Sequence, residues 1–152
     1  MAVRPIPEGF RTVTPYLVVD DAKRLLEFVK QAFGAQERMS MPTPDGKIGH
    51  AEVLIGDSVI MLADASTSDQ STPMPAMIHL YVDDVDKTFR QAIEAGASEV
   101  RALEDQFYGD RSGGVQDPAG NKWWIATHVE DVPPEEMQRR AEEYANQHPM
   151  EG

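Results

Sequence analysis

The chain has 152 residues, of which 41% are hydrophobic and 26% charged, a composition typical of one soluble globular domain. Its net charge of −12 argues against nonspecific binding to nucleic acid or to an anionic membrane. The absence of cysteine excludes disulfides and thiolate sites, and no apolar run is long enough to span a membrane. The N-terminus lacks the apolar core of a signal peptide, so we expect a cytoplasmic protein.

The first predicted unit covers residues 12–64. Asp20 and Asp21 stand where a helix needs an N-cap, and Gly34 is a typical residue at a helix end. Gly56 and the aspartate after it form a predicted hairpin turn. The predicted elements are one strand, one helix and three further strands, at residues 12–19, 22–33, 36–41, 50–55 and 58–64. The order of this unit is therefore βαβββ.

The same order recurs in residues 77–128, after a polar linker at residues 65–76. Asp83 and Asp84 repeat the aspartate pair at the start of the helix. The predicted elements are again a strand, a helix and three strands, at residues 77–82, 85–95, 98–103, 112–116 and 122–127. A C-terminal helical tail follows at residues 133–148, and we treat residues 1–152 as a single domain.

The two units share sequence as well as element order. Residues 16–35 read YLVVDDAKRLLEFVKQAFGA and residues 79–97 read HLYVDDVDKTFRQAIEAGA, so Tyr16 corresponds to His79. A repeat of this length predicts two copies of one supersecondary unit. Two copies related by a pseudo-twofold axis form a cavity, where we expect the functional site.

Several segments resemble one family in particular. HAEVLIGDSVIMLADAS, IHLYVDDVDKTFRQAIEAGA and YGDRSGGVQDPAGNKWWIATHVEDV are similar to the PhnB-like branch of the vicinal oxygen chelate superfamily, which includes glyoxalase I, bleomycin-resistance proteins and extradiol dioxygenases. The resemblance covers about residues 12–130. It implies an α+β fold, with two βαβββ repeats forming a curved mixed sheet around a cavity, and it implies pairing of two chains, so we expect a homodimer.

The resemblance also locates the metal site of the superfamily, whose metal-using members carry four ligands, mostly His, Glu or Gln. Carried over one at a time, the four positions are Thr14, Ile60 or Met61, Met77 and Trp124. None of these side chains is a good oxygen or imidazole ligand for a hard or borderline divalent ion. The resemblance therefore predicts that the standard metal is absent and that the protein has no metal cofactor.

His50, Glu52 and His79 are the candidate catalytic residues. His50 and Glu52 alternate with apolar residues along a predicted strand, so they should face the cavity, and His79 should do the same on its own strand. The three side chains could hold a relocated metal ion or act as metal-free acid and base groups. Alternatively, His50 and Glu52 hydrogen-bond each other or neighbouring strands, with His79 in the cavity wall.

Tyr16, Tyr108, Arg111 and Trp124 are the candidate substrate-binding residues. Arg111 could clamp a carboxylate or phosphate, or it could pair with Asp110 or another nearby carboxylate. Trp123 and Trp124 point to opposite faces of a predicted strand. We expect Trp124 to face the cavity, where its indole either stacks on a flat ligand or fills the space that a metal would occupy.

Two principal function classes are open at this point. The first is an enzyme, of the lyase, isomerase or dioxygenase kind, acting on a small oxygenated or anionic molecule. The second is a non-catalytic protein that sequesters an antibiotic or metabolite, as the bleomycin-resistance proteins imply. The negative charge and a cavity indole suit a cationic aromatic ligand in that case. A role in assembly alone, with the tail helix completing a dimer, has the least support.

Overall fold

The computed structural model describes residues 2–66 and 72–149, so residues 67–71 of the predicted linker lie outside the described part. The elements follow the predicted order of two βαβββ units and a tail helix. They are β1 Tyr16–Val19, α1 Ala22–Phe33, β2 Gln36–Pro42, β3 Ile48–Ile55, β4 Ser58–Asp64, β5 Met77–Tyr81, α2 Val85–Glu94, β6 Ser98–Asp105, β7 Asp110–Gln116, β8 Lys122–His128 and α3 Pro134–Gln147. No helix of the described residues is long and apolar enough to cross a membrane.

The strands form two four-stranded mixed sheets, one for each repeat. Sheet A has the order β1-β4-β3-β2, and sheet B has the order β5-β8-β7-β6. The first strand of each repeat runs parallel to its last strand, and the other neighbours are antiparallel. Tyr16 lies opposite Met61 in sheet A, while His79 lies opposite Trp124 in sheet B. The register thus confirms the equivalence of Tyr16 and His79 predicted from the repeat.

Aspartates cap both repeat helices, as the sequence predicts. The side chain of Asp21 accepts a hydrogen bond from the backbone N–H of Arg24, and Asp84 accepts one from Lys87. Gly34 ends α1 with a φ of 66°, in the left-handed region that glycine adopts without strain. These caps account for the second aspartate of each Asp-Asp pair.

A second contact ties each helix to the last strand of its repeat. Asp64 Oδ1, at the end of β4, accepts hydrogen bonds from the backbone N–H groups of Asp21 and Ala22, both at 2.9 Å. At the corresponding place in β8, Thr127 Oγ1 accepts from the N–H of Val85 at 2.9 Å. Both groups satisfy N–H donors that have no partner within the helix. Each helix is thereby fixed against one face of its sheet.

The main contact between the repeats is made by α1 against α2, so both helices lie between the two sheets. Apolar residues from the helices and from the helix-facing sides of both sheets form a single buried cluster. Within it, the rings of Phe33 on α1 and Trp123 on β8 have centroids 4.8 Å apart. The opposite face of each sheet, called here its helix-free face, therefore lies on the outside of the chain. Large side chains there are exposed: Tyr16, Met39, Met41, Met77 and Tyr81.

A buried carboxylate organises the turn before β8. Asp117 accepts four hydrogen bonds, from the N–H groups of Ala119 and Asn121, from Asn121 Nδ2 and from Trp123 Nε1, at 2.7–3.0 Å. Asn121 Oδ1 in turn accepts from the N–H of Ala76, just before β5. The network joins the turn, the entry to the second repeat and the core indole. Removing its shared acceptor leaves buried donors unsatisfied.

We expect Asp117→Ala to lower the free energy of unfolding by roughly 3 kcal/mol or more, because buried donors lose a charged acceptor. The matched control is Asp57→Ala in the exposed hairpin turn of the first repeat, which should change stability by no more than about 0.5 kcal/mol. Urea unfolding of both variants measures the difference. Equal losses in the two variants would contradict the role assigned to Asp117.

Candidate functional site

On the helix-free face of sheet A, three polar side chains from two strands are hydrogen-bonded in series. Tyr16 Oη on β1 lies 3.0 Å from His50 Nδ1 on β3, and His50 Nε2 lies 3.0 Å from Glu52 Oε2. Alternation along β3 places His50 and Glu52 on this face, because Ala51, Val53 and the residues that follow at the same spacing face α1. The imidazole and the carboxylate are mostly buried, whereas Tyr16 is half-exposed.

The directions of these hydrogen bonds follow from the groups involved. An ionised carboxylate can only accept, so His50 Nε2 carries the hydrogen that faces Glu52. In a neutral imidazole the other nitrogen, Nδ1, is then an acceptor, and the Tyr16 hydroxyl donates to it. The structure thus places together three residues that the sequence names as candidates, Tyr16, His50 and Glu52.

The helix-free face of sheet B carries aromatic side chains. His79 and Tyr81, two residues apart on β5, have ring centroids 4.9 Å apart, and Trp124 on β8 is the neighbour of His79 in the register. Trp124 covers Gly114 on β7, where any Cβ would overlap the indole. The absence of a side chain at Gly114 therefore lets this indole pack directly on the backbone of β7.

A second polar network, which the sequence did not indicate, lies at the end of this aromatic surface. The Tyr81 hydroxyl donates to Asp110 Oδ2 at 2.8 Å, and His128 Nδ1 lies 2.8 Å from Asp110 Oδ1. His128 Nε2 lies 2.7 Å from Asp131 Oδ1 in the segment leading to α3. Asp110 is buried although it carries a carboxylate. Asp110 begins β7 and His128 ends β8. The strands predicted from the sequence, 112–116 and 122–127, do not include either residue.

This network changes the acidity of its members. The hydrogen bond to Asp110 raises the pKa of Tyr81, because the carboxylate favours the protonated phenol. The hydrogen bonds to Asp110 and to Asp131 raise the pKa of His128, because both carboxylates favour the imidazolium. With a carboxylate oxygen at each ring nitrogen, His128 satisfies both contacts only when both nitrogens carry hydrogen.

Arg111 and Tyr108 lie apart from these two faces. Arg111 forms two hydrogen bonds of 3.0 Å to the carboxylate of Asp86 on α2 and one of 3.4 Å to Asp105. The bond from Arg111 holds the pKa of Asp86 below its usual range. Arg111 is thus engaged by carboxylates on the helix side of sheet B, and its substrate role stays a prediction. Tyr108 packs edge-on against Phe107, and its substrate role also stays a prediction.

The four positions carried over from metal-using relatives do not provide a ligand set. Thr14 donates to the carbonyl of Arg11, and Met61 lies on sheet A opposite Tyr16. Met77 and Trp124 lie on sheet B, with Met77 largely exposed. Over residues 2–66 and 72–149, no group of three or more His, Cys, Asp or Glu side chains is placed to hold a metal ion. The donor chemistry at these positions does not fit a divalent metal.

The cleft between the two repeats of one chain contains only part of the candidate site. It has a volume of about 800 Å³ and is lined by the end of α1, the β3–β4 turn, β5 and the start of α2. His79 and Tyr81 line it, but His50, Glu52 and Tyr16 do not. Within one chain, His79 is therefore separated from the other two candidate catalytic residues.

Comparisons with known proteins agree with this architecture. The family model described as Glyoxalase/Bleomycin resistance protein/Dioxygenase superfamily matches residues 10–125. An uncharacterized protein of Mycobacterium bovis is 42% identical over 135 residues, which cover 83% of this chain and 89% of the relative. TioX from Micromonospora sp. ML1 is 25% identical with a TM-score of 0.67, covering 78% of this chain and 99% of TioX. A PhnB protein from Bacillus cereus, 14% identical, shares the fold with a TM-score of 0.59 over 77% of this chain and 99% of its own.

The His128 contacts predict a pH dependence of stability. Because its folded-state pKa is raised above about 6.5, the value for an unfolded chain, the imidazolium stabilises the fold fully below that value. This contribution is lost as the pH rises through the folded-state pKa. We expect the difference in free energy of unfolding between wild type and His128→Gln to be largest near about pH 6 and to decrease as the pH rises.

Urea unfolding at a series of pH values measures this difference. Asp131→Asn is the graded control, because it removes one of the two carboxylate partners and should weaken the pH dependence without abolishing it. A difference between wild type and His128→Gln that does not change with pH would contradict the assignment.

Proposed function

The chain belongs to the glyoxalase/bleomycin resistance protein/dioxygenase superfamily, and we propose that it binds a small organic molecule between helix-free sheet faces of two paired copies. The observation that carries this proposal is the exposure of large side chains on those faces. Tyr81 and Met77 are each 64% exposed, and Tyr16 is 47% exposed. Large exposed side chains that share one sheet face are typical of a site that contacts a ligand or a protein.

The proposed pairing follows from the packing of the helices. Because α1 and α2 lie between the sheets, the two helix-free faces of one chain cannot cover each other. A twofold symmetric dimer lets sheet A of one copy face sheet B of the other, and the same operation forms a second, equal cavity. β5 is an edge strand that a second copy could meet, whereas the outer edge of β1 is bridged at Val18 by Met74.

The charge of the site favours a cationic aromatic ligand. Trp124 and Tyr81 offer aromatic faces to which a cation is attracted, and the buried carboxylate of Asp110 lies at the end of that surface. The net charge of −12 adds a long-range attraction for a positive ligand. In this proposal the protein is cytoplasmic and holds an antibiotic or metabolite without the standard metal of the superfamily.

A relocated metal site would require His79 to meet His50 and Glu52. In one chain His79 lies on sheet B and the other two lie on sheet A, so only the facing walls of two copies could bring them together. Elemental analysis of purified protein separates the two possibilities. We expect no stoichiometric divalent metal, and one metal ion per cavity that is lost in His79→Ala would contradict the proposal.

The dimer is tested by placing a charge on the exposed face of sheet B. We expect wild-type protein to be a dimer by light scattering and Met77→Glu to shift towards monomer, because a carboxylate would be desolvated between the sheets. Val3→Glu is the matched control, since Val3 is 91% exposed and precedes the first strand. A monomeric wild type, or equal dissociation of both variants, would refute the pairing.

The ligand class is tested with proflavine as a cationic aromatic probe and fluorescein as an anionic one. We expect the dimer to bind proflavine more tightly than fluorescein. Trp124→Ala should weaken proflavine binding by about tenfold, as expected for loss of an aromatic contact to a cation. Fluorescence titration measures both affinities. Tighter binding of the anionic probe would overturn the assigned ligand class.

A further inference from the structure

We infer that Tyr16 is the reacting group of this site: a phenol that takes a proton from a bound substrate while its own proton passes to His50, where Glu52 holds the imidazolium. The inference rests on the proposed function only in that Tyr16 lies on the face proposed to bind ligand. It assigns an activity to the site, metal-free proton transfer, and it assigns the central role to a residue outside the predicted catalytic set.

The geometry is that of a hydroxyl activated by an oriented base. Tyr16 Oη and His50 Nδ1 are 3.0 Å apart, and His50 Nε2 and Glu52 Oε2 are also 3.0 Å apart. The hydroxyl, the imidazole and the carboxylate follow each other in the order that activates a nucleophile or base in hydrolytic triads. Glu52 fixes the tautomer that leaves Nδ1 ready to accept, and it stabilises the positive charge that forms on the ring.

The burial of the three groups fits these roles. His50 and Glu52 are mostly covered, which strengthens their interaction, whereas Tyr16 remains open enough to meet a ligand. The ring centroids of Tyr16 and His50 are 5.6 Å apart at an angle of 43°, so the two rings also pack against each other. Tyr16 is thus the most exposed of the three residues.

The proposed step balances without any further reactant. A C–H or O–H bond of the substrate breaks and its proton bonds to Tyr16 Oη. The original Tyr16 O–H bond breaks at the same time, and that proton bonds to His50 Nδ1, which gives an imidazolium beside the Glu52 carboxylate. The electron pair of the broken bond stays on the substrate. Reversal of the relay returns a proton to another atom of the substrate, so the net reaction is an isomerisation.

The neighbours of the triad indicate the class of substrate. Met61 lies opposite both Tyr16 and Glu52 in the register, while Met39 lies opposite Glu52 and Met41 opposite His50. Methionine forms an adaptable apolar surface. The carboxylate of Glu52 and the negative net charge disfavour an anionic substrate. We therefore assign an uncharged or cationic aromatic compound that carries an acidic O–H, or a C–H beside a carbonyl group.

Tyr81 provides a contrast within the same molecule. Its hydroxyl donates to the carboxylate of Asp110 rather than to an imidazole, and this contact raises its pKa. A carboxylate that holds the phenol proton, and that is already shared with His128, is a poor acceptor for that proton. Tyr81 is nevertheless more exposed than Tyr16, at 64% against 47%. Accessibility alone therefore predicts that Tyr81 reacts faster than Tyr16, whereas the relay predicts that Tyr16 reacts faster.

The test measures the reactivity of each phenol directly and needs no substrate. Wild-type protein is treated with N-acetylimidazole, which transfers its acetyl group to phenol oxygens, and the rate at each tyrosine is read by peptide mass spectrometry. We expect Tyr16 to react at least about tenfold faster than Tyr81, because a positioned base assists proton removal. His50→Gln should abolish this advantage, and Glu52→Gln should reduce it.

Two features of the design separate this inference from the proposed function. The rates are measured in wild type and in Met77→Glu, so the result holds whether or not the dimer cavity forms, and circular dichroism confirms that each variant is folded. A monomeric wild type in which Tyr16 is acetylated fast refutes the pairing alone. A Tyr16 rate at or below that of Tyr81, or one that His50→Gln leaves unchanged, overturns the relay.

Discussion

The packing of α1 against α2 is the constraint on which the rest of this structure depends. It places both helices between the two sheets and joins the two repeats through one buried cluster that includes Phe33 and Trp123. As a direct consequence, the polar and aromatic faces of the sheets lie outside. Under the proposed pairing, each chain contributes two half-sites rather than one closed cavity, and the second copy closes both.

The helix-free faces of the two sheets differ in their chemistry although the two sheets have the same strand order. Sheet A joins Tyr16 to an imidazole, while sheet B joins Tyr81 to a buried carboxylate. A neutral imidazole nitrogen can accept the phenol proton, whereas the carboxylate beside Tyr81 raises the pKa of that phenol. The proposed cavity would thus combine a wall suited to proton transfer with a wall suited to holding an aromatic cation.

Local order could be predicted from the sequence because it depends on neighbours along the chain. The capping aspartates Asp21 and Asp84, the alternation that turns His50 and Glu52 to one face, and the register relating Tyr16 to His79 all follow from repeat and period. The partners of Arg111 could not be predicted in this way, since Asp86 lies on another element. The sequence pattern within one repeat also does not indicate whether the two repeats contact each other through their sheets or through their helices.

The claim that two copies complete the site is tested most directly by a distance between chains. The cysteine-free sequence allows a spin label at Met41→Cys on sheet A of one copy and another at Met77→Cys on sheet B of a second copy. In a mixture of the two singly labelled proteins, pulsed electron spin resonance should give a short distance between labels on different chains. The mixture is compared with doubly labelled protein diluted in unlabelled protein, which reports only the distance within one chain. The account is contradicted if the mixture gives no short distance while the diluted, doubly labelled protein does.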